Sequence, residues 1–277
     1  MELHQFESLN VSLEDNGRLV VVELDHGRAN EMGQPELLEW SALVDHLCAG
    51  QARALLTFSQ RKSKKGTPIF ISGANVTERA GWTDEQVRKH VRMQRDVLRR
   101  LRQAPVFHIA VVDGVAFGWG TEFLICCDYR IAGPGARFAL PETGLGILPG
   151  AGGTAELWSL IGVSQTLRLG MTGEKLAAEE ATRIGLVQES AADLEAGLAR
   201  ARTLASAVMR RSPSGVAAFK TGVLGSVGRA PDERMELEAR AYEHCLDSGD
   251  AAIGRANFRK VIAGEEVEWA PLAKFSG

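Results

Sequence analysis

Val106-Phe-His-Ile-Ala-Val-Val112, Asp113-Gly-Val-Ala-Phe-Gly118-Trp-Gly-Thr-Glu122 and Phe123-Leu-Ile-Cys-Cys127 follow one another without interruption, and their reading decides the fold. The first run is almost continuously apolar, the pattern of a strand covered on both faces in a parallel sheet. The second is a glycine-rich turn, and from about Trp119 the chain reads as a helix whose later part is wholly apolar. A turn between a buried strand and a helix presents unpaired backbone N–H groups with the helix dipole behind them, so it can bind a phosphate or an oxyanion. Close packing accounts for such glycines equally well. No Gly-Lys-Ser/Thr follows, so it is not a P-loop, and the dinucleotide spacing Gly-x-Gly-x-x-Gly is incomplete.

Outward from this stretch, Ser8 to Glu14 and Arg18 to Leu24 flank Asp15-Asn16-Gly17 and predict a hairpin. Gln34 to Cys48 predicts an amphipathic helix, Ala52 to Phe58 a buried strand, and Ile69 to Ser72 a further strand. The basic stretch Arg61-Lys-Ser-Lys-Lys65 between these strands reads as a loop. Thr83 to Gln103 is a helix with a Thr83/Gln86 capping box, stopped by Pro105. Tyr129 to Ala132 predicts a strand, and helices are expected at about 153–161 and 177–184. From about Asp193 only helices are predicted: 193–211, 213–224, 231–247 and 251–262. Strands alternating with helices and then helices alone imply an α/β core (1–192) with an all-helical C-terminal region (193–277).

The 277 residues are 45% hydrophobic, enough for a large core. A net charge of −3 offers no global attraction to nucleic acid or anionic lipid. The four cysteines have no metal-ligand spacing, and Cys126 and Cys127, adjacent in an apolar run, read as buried reduced thiols. No metal is expected. The first residues lack the basic-then-apolar order of a signal peptide, and no apolar run reaches membrane-spanning length, so a soluble, cytoplasmic setting is expected.

Two carboxylates stand out. Glu122 lies one turn into the helix after the glycine turn; it either complements the helix dipole at the surface or is a buried general base. Glu142 follows Pro141 and precedes Gly144-Leu-Gly146, in a loop beside a strand end. The run Gly150-Ala-Gly-Gly-Thr154 has no lysine and reads as a tight turn rather than a phosphate cradle. Ser72-Gly-Ala-Asn75 ends a strand with a small-residue turn and offers an exposed N–H at Ala74. His108, inside the apolar strand, reads as a hydrogen-bonded core residue.

In combination, Ser72-Gly-Ala-Asn75, Asp113 to Glu122, Cys127-Asp-Tyr-Arg-Ile-Ala132 and Pro141 to Thr154 resemble the crotonase (enoyl-CoA hydratase/isomerase) family. Ala29-Asn30, Leu169-Gly-Met-Thr-Gly173 and Ile184-Gly-Leu-Val187 match its pattern too, so the resemblance covers nearly the whole chain.

The resemblance implies a spiral of ββα units and a helical C-terminal region that builds a homotrimer or a hexamer of stacked trimers. It implies acyl-CoA thioester substrates, no cofactor beyond the coenzyme A that the substrate carries, and a backbone oxyanion hole with donors at Ala74 and Trp119. Glu122 would activate water and Glu142 would deliver a proton to the α-carbon. Retention of both favours hydratase chemistry over isomerase branches, while hydrolysis of a hydroxyacyl thioester is also compatible. Arg28, Ala29, Asn30 and Ser72 would contact CoA, as would Lys220, in its own subunit or in a neighbouring one, with Lys62, Lys64 and Lys65 either joining them or simply solvated. Trp82 would line the acyl pocket or pack in the core. The chain departs from the family at Trp119, usually glycine, which is expected to reshape the acyl pocket and to force φ/ψ values easier for glycine. Asn75 stands where aspartate is common, Phe107 where proline is frequent, and the basic loop looks inserted. A remote competing reading is RNA binding by the basic helix carrying Arg88, Lys89, Arg92, Arg95, Arg99, Arg100 and Arg102.

Overall fold

The computed structural model describes residues 3–275 and 277. Strands β1 (Leu9–Glu14) and β2 (Leu19–Leu24) form the expected antiparallel hairpin, in register Leu9 to Leu24, across a turn in which Asn16 takes φ 56°. Helix α1 (Gln34–Cys48), β3 (Ala54–Phe58) and β4 (Ile69–Ile71) follow, then α2 (Asp84–Gln103) and β5 (Phe107–Val112). Next come β6 (Val115–Phe117), α3 (Trp119–Ile125), β7 (Tyr129–Ala132), β8 (Arg137–Ala139) and α4 (Trp158–Thr172). After β9 (Leu176–Ala177), α5 (Ala178–Arg183) and β10 (Glu189–Ser190), the chain is helical: α6 (Leu194–Met209), α7 (Pro213–Ser226), α8 (Pro231–Asp247), α9 (Asp250–Ala256) and α10 (Phe258–Ala263).

The strands make two sheets, of order β1-β2-β3-β5-β7-β10 and β4-β6-β8-β9. From β3 to β8 the chain enters the two sheets in turn, which is the expected spiral. Alternation along the strands divides the first sheet's side chains between two cores. Val20, Val22, Leu24, Leu55, Ala110 and Val112 face inward to α1, α2, α3 and the second sheet. Leu19, Val21, Leu56, Ile109 and Val111 face outward to Ala201, Ala205 and Met209 of α6. The division at 192/193 therefore separates elements by type: α6 is the first of the terminal helices, yet it covers the sheet.

Three local readings differ from the structure. Strands β6 and β8 have three residues each, too short for a periodicity to show. The helix expected at 153–161 is a series of turns, and α4 begins at Trp158 and passes through a break at Gly162, with φ 79°. The last predicted helix is split at Asn257.

His108 is fully buried, and its Nε2 lies 2.9 Å from Thr57 Oγ1, as a core histidine should. All four cysteines are free, with Cys126 and Cys127 buried. Among the described residues no helix is long and apolar enough to cross a membrane.

Candidate active site

Two turns, one at the end of β4 and one between β6 and α3, meet at the rim of the second sheet. After β4, Met32 N–H donates to Gly73 O at 2.9 Å and Asn75 N–H to Met32 O at 2.8 Å. The Ala74 N–H between them donates to no protein group among the described residues. At the other turn Gly118 takes φ 53° and ψ −120°, which a side chain would strongly resist, and Trp119 becomes the first residue of α3. A first helical residue has no acceptor one turn back, and the Trp119 N–H is likewise unpaired among the described residues. The expected strain at Trp119 is thus misplaced by one residue: Gly118 carries it, and Trp119 does not have positive φ.

The turns are held together by backbone packing. A Cβ on Gly120 would lie 2.4 Å from Ile71 O, so only glycine lets α3 approach β4 this closely. Thr121 Oγ1 donates to Ala116 O at 2.7 Å and Ala139 O at 3.0 Å, pinning the helix start to β6 and β8. The Trp119 indole is buried and packs on Phe123, with ring centroids 5.7 Å apart.

Glu122 is only 3% exposed, so the surface-dipole reading fails. Its Oε1 accepts from Ala151 N–H at 2.7 Å and Gly153 N–H at 2.9 Å. Burial pushes its carboxyl above the usual range, and the hydrogen bonds from Gly153 and Ala151 and the charge of Arg95 oppose the shift without cancelling it. Arg95 acts directly on this loop: its Nε donates to Gly150 O at 3.0 Å. That carbonyl belongs to the same peptide unit as the Ala151 N–H, so α2 and Glu122 grip one peptide from opposite sides.

Glu142 opens a short 3-10 turn (Glu142–Leu145) after Pro141. Its carboxyl rests against Gly118, where an added Cβ would stand 2.7 Å from Oε1. Oε2 is buried and makes no hydrogen bond to the protein. Burial raises the carboxyl to about 7, with the negative charge of Glu122 pushing the same way. Two free N–H groups and two carboxyls of raised proton affinity can hold a developing oxyanion and move two protons.

The other predicted residues are less closely gathered. Ser72 N–H donates to Ala29 O at 3.1 Å, so this pair is adjacent, with Arg28 exposed beside it. Asn30 is buried with φ 51°; its Nδ2 donates to Leu24 O, Ser59 Oγ and Phe70 O, and its Oδ1 accepts from His26 N–H. Its side chain therefore knits the loop together and is not free for a ligand. The basic loop does come to this edge: Arg61 pairs with Asp25 and reaches Gly27 O, leaving Lys62, Lys64 and Lys65 exposed. Lys220 lies elsewhere. Its Nζ donates to Asp128 Oδ2 at 2.7 Å and Val106 O at 2.9 Å, tying α7 to the start of β5. Trp82 is half-buried against His90. Asn75 Oδ1 accepts from Glu78 N–H at 3.2 Å and from the Thr77 hydroxyl at 2.7 Å, capping the next turn. A cavity of about 840 Å³ opens on the α2/α7 side of loop 149–153, lined by Arg95, Arg102 and Lys220, and neither Ala74 nor Glu142 reaches it.

Sequence reading did not identify Ala151, Gly153 or Arg95 as parts of the site. The glycine-rich run 150–153 was the available signal for the first two. Arg95 was hidden in a basic helix four of whose other cations also have acidic partners: Arg88 pairs with Asp84 and Glu85, Arg99 with Asp96, Arg100 with Asp45 and Arg102 with Glu156.

A family model described as enoyl-CoA hydratase/isomerase matches residues 57–261. The short-chain-enoyl-CoA hydratase of Clostridium acetobutylicum is 31% identical over 244 residues, covering 87% of this chain and 91% of that protein. The crotonyl-CoA hydratase of Syntrophomonas wolfei is 30% identical over 250 residues, covering 90% and 94%. Among solved structures, an enoyl-CoA hydratase from Bacillus anthracis superposes with a TM-score of 0.85 at 29% identity, over 95% of this chain and 99% of that one. With its two-sheet spiral, its paired turns and these matches, the chain belongs to the enoyl-CoA hydratase/isomerase family.

Proposed function

We propose that the protein is an enoyl-CoA hydratase that adds water reversibly across the double bond of a 2-enoyl-CoA. The observation that carries this reading is the pairing of two buried-side carboxyls, Glu122 and Glu142, next to the unpaired N–H groups of Ala74 and Trp119. Glu122 takes a proton from water as its oxygen bonds to the β-carbon. The electron pair of the double bond moves onto the thioester oxygen, where the two N–H groups stabilise the enolate. Glu142, protonated, then delivers a proton to the α-carbon, and the atoms of one water have been added. The reading calls on no cofactor beyond the CoA of the substrate. The Ala29–Ser72 edge, with Arg28 and Lys62, Lys64 and Lys65 nearby, would hold the CoA nucleotide through backbone groups and cations. Phe219, Met235, Tyr242, Phe258 and Ile262 of α7, α8 and α10 are exposed, which supports association of the helical region into a homotrimer or hexamer.

Incubation with a small panel of acyl-CoA thioesters, read by mass spectrometry, tests the reaction. A product heavier by one water from crotonyl-CoA is expected; release of free CoA instead would assign thioester cleavage and overturn the hydratase reading.

Arg95 supplies a further check on the role of Glu122. Arg95→Ala frees the 150–151 peptide and removes a charge that lowers the proton affinity of the carboxyl. A loss of about ten-fold in kcat/KM is expected, on the order of one lost charge-assisted hydrogen bond. The acid limb of the pH–rate profile should move to higher pH, because the base must be ionised, and Arg95→Lys should restore part of both. An unshifted limb would remove Arg95 from the positioning machinery.

A further inference from the structure

The buried stripe of α2 changes character along its length. Val97, Leu98 and Leu101 are apolar, but the same stripe begins with His90 and Gln94, which are 5% and 4% exposed. Their half of the helix lies against the candidate active site. Val91 Cγ1 is 3.1 Å from where a Cβ of Gly150 would stand, and Arg95 holds Gly150 O, in the loop that grips Glu122. On the opposite side, Glu78 and Arg79 follow the oxyanion-hole candidate Ala74 by only four and five residues, in a 3-10 turn (Thr77–Arg79).

These side chains meet without satisfying one another. His90 Nε2 lies 3.4 Å from Glu78 Oε1, yet neither atom makes a hydrogen bond. Gln94 Nε2 is buried without an acceptor, and so are Nε and Nη2 of Arg79. Glu78 is turned toward His90, its other oxygen accepting from Gln34 N–H at 3.0 Å, and Arg79 makes no ion pair among the described residues. Trp82 packs against His90, its ring 5.2 Å from the imidazole and steeply inclined to it. A native structure does not leave such a concentration of buried polar atoms unpaired without a partner for them. Donors predominate, with the Arg79 pair and the Gln94 amide against one free oxygen of Glu78, while His90 Nε2 donates or accepts according to its tautomer. The Nε/Nη2 edge of a guanidinium is the fork that takes a carboxylate by two parallel hydrogen bonds.

We infer that this group is a subsite for the far end of the acyl chain and that the preferred substrate class is a 2-enoyl thioester whose chain ends in a carboxylate, recognised by Arg79 with Gln94 and His90 beside it. The inference rests on the thioester site proposed above for its position, since the chain enters between Ala74 and the Glu122 loop. Its ligand chemistry rests on the unpaired side chains alone.

Binding of two saturated thioesters of equal chain length, adipyl-CoA and hexanoyl-CoA, separates this inference from the assignment of the reaction, because neither analogue can be hydrated. Calorimetry on the full-length protein should give at least ten-fold tighter binding of adipyl-CoA. Arg79→Met should abolish that preference while leaving hexanoyl-CoA binding within about two-fold. Gln94→Leu, which keeps the Arg79 fork, should weaken adipyl-CoA alone by several-fold and decides the matter if Arg79→Met does not fold. Equal or weaker binding of adipyl-CoA by the wild type, or a preference that survives both substitutions, overturns the subsite. Turnover of 2-hexenedioyl-CoA and 2-hexenoyl-CoA, followed in parallel, reports separately on hydration: a carboxylate preference in binding with no water added to either keeps the subsite and discards the hydratase reading.

Discussion

Glu122→Gln is expected to lower kcat for hydration of crotonyl-CoA by about 10³-fold, within the usual range for removing a positioned general base. Glutamine preserves volume and can present its carbonyl oxygen to the Ala151 and Gly153 N–H groups, so loop 149–153 should stay in place. What it cannot do is accept a proton from water. The loss should fall on kcat, with KM nearly unchanged and the affinity for free CoA preserved, because in the proposed mechanism Glu122 meets only the attacking water. Steady-state kinetics paired with calorimetric CoA binding checks both halves. Activity within ten-fold of wild type would remove Glu122 from the proton-transfer step.

Glu142→Gln should cost about 10²–10³-fold and should also change the shape of the pH profile. The carboxyl is raised to about 7, and as the proposed proton donor in hydration it must be protonated. Hydration should therefore fall as pH rises through about 7. Dehydration of the 3-hydroxyacyl product starts from Glu142 ionised and Glu122 protonated, the same single proton on the pair, so its kcat/KM should fall through the same interval. In Glu142→Gln this inflection should vanish from both directions. The linkage to stability has a definite sign too. A carboxyl raised on folding costs nothing below its unfolded value near 4.5, where both states are protonated; its cost grows as pH rises from there toward 7 and is constant above. Relative to wild type, Glu142→Gln should then melt at a higher temperature at pH 8 than at pH 5, measured by calorimetry. An inflection near 7 that persists in the variant would assign it to another group.

Elements with long, consistent local signals were legible in the sequence. The hairpin at Asp15-Asn16-Gly17, the capping box of α2 and the apolar run of β5 each involve neighbours within a few residues, and each formed where its pattern placed it. The three-residue strands β6 and β8 carry no such signal, because pairing in the second sheet rather than intrinsic preference makes them strands. The turns at 151–157 misled for a related reason. The expected helix starts at about Gly153, but the Ala151 and Gly153 N–H groups are engaged by the carboxylate of Glu122, so the chain is held out of a helix there.

The site divides in the same way. The order of its pieces, Gly73-Ala74, Gly118-Trp119-Gly120, Glu122 and Glu142, was readable because turn chemistry and motif spacing are properties of the chain itself. The α/β core, the helical C-terminal region and the candidate donors and carboxyls were legible in the same way. Tertiary structure alone decided that Glu122 is buried rather than a surface helix cap, that Gly118 rather than Trp119 bears the unusual backbone, that the Asn30 side chain is structural and that Lys220 serves Asp128. Burial and proton affinity depend on partners brought from afar: the N–H groups that hold Glu122 come from 29 and 31 residues along the chain, and Arg95 reaches their loop from 55 residues before it. Local pattern acts over a turn or two of chain, whereas the environment of a carboxyl is set by whatever the fold packs against it.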